Sequence, residues 1–170
     1  MARDVVDDIV DEWAALRPDL DASPIGAVGR ISRLSRLIDK RLAENFQRFG
    51  IEDWMYDVLA TLYRSGPPYE ATPGELVRRT MVTTGAITNR VDRLVDLGFV
   101  DRRPSDTDRR SNVVRLTSAG VAKVEEVAPA HLATERDVLR SLSPSAQQAL
   151  VGSLRRVLVG LGDTTEESKT

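Results

Sequence analysis

Two charged residues in the run YDVLATLYR, residues 56–64, set an acid and a base on one helix. Asp57 and Arg64 stand seven positions apart, nearly two turns of an α-helix, so both side chains leave one side about 10.5 Å apart along the axis. A carboxylate accepts hydrogen bonds from a ligand's N–H groups or repels its charge, and a guanidinium fork pairs with an anionic edge. Ile51, Trp54, Met55, Val58, Leu59 and Leu62 make an apolar stripe on the other side. On periodicity alone the pair is solvated helix surface, because charges opposite an apolar stripe are the rule. The small Ala60 and Thr61 between the charges argue instead for a shallow notch, open to another helix or a small molecule.

A second concentration of chemistry lies downstream. Residues 78–115 carry Arg78, Arg79, Arg90, Arg93, Arg102, Arg103, Arg109, Arg110 and Arg115 against Asp92, Asp96, Asp101, Asp106 and Asp108. Residues 4–19 are acidic, with Asp4, Asp7, Asp8, Asp11, Glu12 and Asp19 against Arg17. The formal net charge of −2 hides this asymmetry. A polyanion is attracted by local positive potential rather than by overall charge, so the arginine-rich segment is the candidate nucleic-acid contact.

Other chemistries are poorly served. The chain has no cysteine, which excludes disulfides, thiol nucleophiles and thiolate metal sites. His131 is the only histidine, and with Glu135 one turn on it reads as a solvated contact rather than a metal site. No Ser/His/Asp arrangement, glycine-rich phosphate loop or zinc spacing is present. No catalytic residue, metal or cofactor is expected. The acidic, amphipathic start MARDVVDDIVDEW is unlike a signal sequence, and no apolar run approaches the roughly 18 residues that span a bilayer. The expected location is the cytoplasm, in association with the nucleoid, with no membrane partner.

The elements that must position these groups follow from periodicity and punctuation. Val5, Val6, Ile9, Val10, Trp13 and Leu16 recur at helical spacing, giving an amphipathic helix over about 4–17 that stops before Pro18. Ser23-Pro24 supplies an N-cap and first-turn proline for a second helix to about Phe49, with Ile31, Leu34, Leu37, Ile38, Leu42 and Phe46 inward. A third helix covers about 52–65, ahead of Gly66-Pro67-Pro68. Thr72-Pro73-Gly74-Glu75 is a capping box with proline at the first helical position, and it starts a short helix to about Thr80. A tight turn leads to another helix over about 84–97, ended by Gly98: a helix-turn-helix. FVDRRPSD and NVVRLT then read as two strands joined by a polar tip. Helices over about 118–142, bent at Pro129, and from Ser143-Pro144 to Leu161 complete the chain.

The fold class is therefore mainly α: a winged helix-turn-helix with a two-stranded β wing and terminal helices that form a dimerisation region. A single domain over 1–170 is expected. Residues 4–49 form the N-terminal helices and ligand crevice, 50–117 the DNA-binding region, 118–161 the C-terminal dimerisation helices and 162–170 a flexible tail. The last two helices cannot bury their apolar faces on so small a module, which implies a homodimer.

Within TGAITNRVDRLVDL, Ile87, Val91, Leu94 and Val95 can pack inward, leaving Thr84, Gly85, Thr88, Asn89 and Arg93 outward. Small residues let a helix backbone approach the major groove, and polar groups reach base edges and phosphates. Arg102, Arg103, Arg109 and Arg110 surround a tip short enough to flank or enter a minor groove.

The run GAITNRVDRLVDLGFVDRRPSDTDRRSNVVRLTSAG resembles the recognition helix and wing of the MarR family of winged helix-turn-helix regulators. The LGFV junction, Asp108-Arg109-Arg110-Ser111 and Arg115-Leu116-Thr117 carry the likeness, which extends over nearly the whole chain. It implies that Arg110 enters the minor groove with Asp108 orienting it, a role Arg109 could share or take. It also implies binding to double-stranded DNA at a pseudo-palindromic operator, with repression relieved by ligand. The added N-terminal helix is similar to that of the urate-responsive subgroup, and the positions matching its ligand site are Trp13, Asp57, Arg64 and Arg90. The implied effector is a small anion, urate or a related purine; a polycarboxylate such as citrate or aconitate is the alternative, since two arginines suit it equally.

Overall fold

In a computed structural model of the chain, residues 2–80, 84–104 and 112–164 are described. The chain forms two compact units, one ending at His131 and the other beginning at Leu132.

In the first unit, α1 (Val5–Leu16) opens with a capping box: the Asp4 carboxylate accepts from the Val6 and Asp7 backbone N–H groups, and Asp7 accepts from the Asp4 N–H. Arg30 of α2 (Ser23–Gln47) then holds that start, donating to Asp4 at 2.9 Å and to Asp7 at 2.7 Å. Only Val6 of α1 is buried, against Gly29. The expected N-cap at Ser23 is corrected: Ser23 is already helical, and Asp21 accepts its N–H at 2.9 Å. A carboxylate two residues upstream competes for the capping role. Ile31, Leu34 and Leu37, expected inward, are exposed on this chain, and α2 reaches the core only near its end, through Leu42 and Phe46.

The core gathers around α3 (Asp53–Tyr63), whose Met55, Val58, Leu59 and Leu62 are buried. The Thr72/Glu75 box is formed, with Thr72 N–H to Glu75 at 2.8 Å and Glu75 N–H to Thr72 at 3.2 Å, and it begins α4 (Pro73–Thr80). The next helix, α5 (Thr84–Asp96), puts Ile87, Val91 and Leu94 into the core. Val95 does not join them; it is 38% exposed on the flank of that stripe, in the last turn of the helix.

The wing strands β2 (Val100–Pro104) and β3 (Asn112–Leu116) pair antiparallel, Val100 opposite Leu116 and Pro104 opposite Asn112. The sheet has a third strand that periodicity could not reveal. That strand, β1 (Glu70–Ala71), pairs with β3 on its other edge, and Arg115 clamps Glu70 at 2.6 Å. α6 (Ser118–Val138) starts against the wing base, where the Thr117 hydroxyl donates to Gly98 O at 2.7 Å and accepts from Gly120 N–H. The helix continues through Pro129 but ends at Val138, four residues earlier than expected, in turns over 139–142.

In the second unit, Ser143 caps α7 (Pro144–Gly160) by accepting from Ala146 N–H. No residue of α7 is buried. No helix among the described residues is long and apolar enough to cross a membrane.

Candidate functional site

The 3.6-residue period sets Asp57 and Arg64 on one side of α3, and tertiary packing decides what that side is. Thr61, expected between the charges on an open face, is fully buried. Arg64 caps the helix and folds back along it, donating through Nε to Ala60 O at 3.3 Å and through Nη2 to Thr61 Oγ1 at 3.1 Å. Asp57 is half-buried. Burial pushes its carboxyl above the usual carboxylate range, Arg90 and then Arg64 pull it back, and Asp53 adds a smaller push upward. Asp57 is therefore not on a fully solvated face, whereas Arg64 remains exposed. The acid is held in a partly dry setting between a guanidinium of its own helix and one of α5.

Three of the four residues expected to form the ligand site are thus brought within electrostatic reach. Trp13 stands on a different element, α1, where it is 44% exposed. The indole that meets Arg90 is that of Trp54, with the guanidinium carbon 5.9 Å from the ring centroid. Trp54 also carries Arg93, at 4.8 Å, and its Nε1–H donates to Glu52 at 2.8 Å. Assigning Trp54 to the apolar stripe missed this role. The available signal was spacing: Trp54 and Asp57 are one turn apart on α3, as are Arg90 and Arg93 on α5.

On the outer surface of α5, Gly85, Thr88 and Asn89 are exposed as expected. Thr84 is the first residue of the helix, and its side chain lies outside what is described. Arg93 is exposed but donates to Glu52 at 3.1 Å. Arg102 reaches back from the wing to Asp92 of α5 at 2.8 Å, and Arg103 pairs with Asp101 on its own strand at 3.0 Å. The Arg102–Asp92 pair links wing to helix, and all three cations stay solvent-accessible. Asp108, Arg109 and Arg110 lie outside the described residues.

A helix with small polar residues outward, braced by an arginine-bearing hairpin, is a duplex-reading device. The MarR family model matches residues 49–111, which contain the reading helix and the first wing strand. Over 157 residues the chain is 38% identical to the HTH-type transcriptional regulator PecS of Dickeya dadantii, covering 91% of this chain and 95% of that one. The chain belongs to the MarR family. Two solved members with DNA share its fold. Sco3205 of Streptomyces coelicolor, in complex with DNA, is 25% identical with a TM-score of 0.76, over 89% of this chain and 93% of that one. A cysteine-to-serine mutant of MarR from E. coli, complexed with operator DNA, is 26% identical with a TM-score of 0.70, over 86% and 97%. This MarR-family chain is a DNA-binding transcriptional regulator and not an enzyme.

Proposed function

We propose that this MarR-family regulator is a cytoplasmic, ligand-responsive repressor that binds a pseudo-palindromic operator as a homodimer and is released by urate or a related purine. One observation carries the reading. Asp57, half-buried on α3, is coupled to Arg64 of its own helix and to Arg90 of the helix that reads DNA. Without ligand, Asp57 attracts Arg90 and fixes the posture of α5. A flat anion entering the notch pairs with Arg64 and Arg90, sets its own charge against Asp57 and turns α5 out of register. Only a ligand that binds the two postures with different affinity shifts the equilibrium, and rearrangement of a partly desolvated charge supplies that difference. Trp13 completes the site by laying its indole on the ligand ring.

Exposed apolar side chains support the homodimer. Val28, Ile31, Leu34 and Leu37 of α2 are uncovered, as are Val151, Val157 and Leu158 of α7. Thr84, Thr88 and Asn89 then read base edges, Arg102 and Arg103 stand by the phosphates, Arg93 supports the reading helix, and the Asp108–Arg110 tip enters the minor groove.

Titration of a labelled operator complex with urate tests the effector reading, with xanthine and citrate as parallel arms. Release by urate at concentrations where citrate is inert is the expected result; unchanged DNA affinity at saturating urate refutes it. The solvent exposure of Trp13 favours the second reading, a polycarboxylate held by Arg64 and Arg90 alone, and release by citrate only would establish it.

A further inference from the structure

Glu52, Trp54 and Arg93 close a small loop of contacts at the start of α3. One oxygen of Glu52 accepts from the Trp54 indole N–H at 2.8 Å, and the other accepts from Arg93 Nη2 at 3.1 Å. The carboxylate that steadies the ring edge therefore pairs with the cation lying on the ring face, 4.8 Å from the centroid. Arg90 shares that ring at 5.9 Å. Two guanidiniums one helical turn apart are thus held by one half-buried indole, the aromatic side chain with the strongest attraction for cations.

We propose that Trp54 is a positioning residue for operator recognition: steadied by Glu52, its ring grips Arg90 and Arg93 and sets how α5 is presented to the duplex. The apolar stripe of Ile87, Val91 and Leu94 determines which side of α5 faces inward, but such contacts are non-directional and fix axial position and roll only loosely. Two cations on a fixed ring supply the missing direction. In this arrangement Arg93 anchors its helix. A phosphate that took it would have to stand beside the negative charge of Glu52. The inference rests on DNA binding alone and is independent of which effector fills the notch.

The test uses a duplex selected by the wild-type protein from a random pool, together with mixed-sequence DNA, measured by anisotropy over a series of salt concentrations. Two cation–π contacts of the strength usual at exposed sites correspond to roughly 5- to 30-fold in affinity. Trp54→Leu is expected to lose that much on the selected duplex. Its affinity for mixed-sequence DNA and its slope of log affinity against log salt stay unchanged, since no phosphate contact is removed. Trp54→Phe keeps a ring face and retains most of the affinity. Arg93→Ala repeats the Trp54→Leu pattern, and the double variant is no weaker than the weaker single. The proposal is overturned if Trp54→Leu binds the selected duplex like wild type. It also fails if Arg93→Ala flattens the salt slope by about 0.9, the signature of one lost phosphate contact, or if the two losses simply add. Arg93 is exposed, so its variant folds and remains informative even where Trp54→Leu does not. A missing urate response would leave every one of these readings unaltered.

Discussion

Gly120 is where α6 meets the base of the wing, and a single methyl group there should separate two elements. A Cβ built on Gly120 falls well inside contact distance of the Phe99 carbonyl oxygen, and lies 3.1 Å from both the Phe99 carbonyl carbon and Leu116 Cδ2. The Leu116 methyl can rotate aside, but the backbone carbonyl cannot. Phe99 O is already the acceptor for Thr117 N–H at 3.0 Å, and Thr117 bonds onward to Gly98 and Gly120. Relief therefore requires α6 to move away from the α5–β2 turn, stretching that set of bonds. Overpacking of this kind costs about 1–3 kcal/mol, and a rigid backbone neighbour places it at the upper end. Replacing a helical glycine with alanine returns about 0.5–1 kcal/mol, which leaves a net loss of about 2 kcal/mol. For a chain of this size that is roughly 4–8 °C in Tm. The matched control is Gly152→Ala on α7, where nothing lies within 4 Å of the added atom; it should gain about 0.5–1 kcal/mol, roughly 1–4 °C. Differential scanning fluorimetry at equal protein concentration reads both. If Gly120→Ala melts at or above wild type while Gly152→Ala gains as expected, the close approach of α6 to Phe99 is not a constraint and the reasoning fails.

Gly85, exposed on the outer surface of α5 with open space around it, should separate stability from function. Gly85→Ala is expected to raise Tm while an overpacked DNA contact weakens operator binding roughly 5- to 150-fold, measured by anisotropy; unchanged affinity would mean that the backbone does not come close to the duplex there. Asp57 is held above its ordinary range by burial, so its ionised form costs the fold stability at neutral pH, and the cost fades as pH falls through the raised value. Asp57→Asn should accordingly melt higher than wild type at pH 7, with the difference shrinking toward pH 4, and should bind DNA but respond poorly to effector. Asp4 and Asp7 are shifted the other way: Arg30 holds Asp4 low, and the Asp4 N–H followed by Arg30 holds Asp7 low. Their stabilisation is complete above the ordinary carboxylate value of about 4 and is lost as pH falls through the depressed values. Hydrogen exchange in residues 5–16 should accelerate in that acid window and, in Arg30→Ala, already at pH 7. Both amide atoms of Asn45 are buried with no partner among the described residues, so Asn45→Leu should remove a penalty of about 1–3 kcal/mol; urea unfolding with a lower midpoint would contradict that.

Features that depend on neighbours in the chain were open to reading before any coordinates. The Thr72/Glu75 box, the Ser143 cap and the shared side of Asp57 and Arg64 arise from hydrogen bonds and periodicity within a few residues, and all three are present. Where two local signals competed, as Asp21 and Ser23 did for the start of α2, the pattern pointed to the wrong residue. Tertiary choices were less accessible. Apolar periodicity made Ile31, Leu34 and Leu37 inward-facing without saying what would cover them, and on this chain they are exposed. A two-residue strand such as Glu70–Ala71 has no period to detect; it exists because β3 offers an edge and Arg115 a partner charge. Trp54 does pack against the core, as its hydropathy indicates, but hydropathy has one value for an indole and could not show that its edge takes a hydrogen bond and its face two cations. Arg90 was tied to Asp57 by family resemblance, since nothing in the spacing of α3 reaches across to α5.

The division of α5 has an evolutionary reach. Its stability resides in Ile87, Val91 and Leu94, while Gly85, Thr88 and Asn89 carry none of the core. Where those outward positions read the duplex as proposed, descendants of this chain can exchange them one at a time, acquiring new binding sequences on the chromosome without first having to survive a damaged fold.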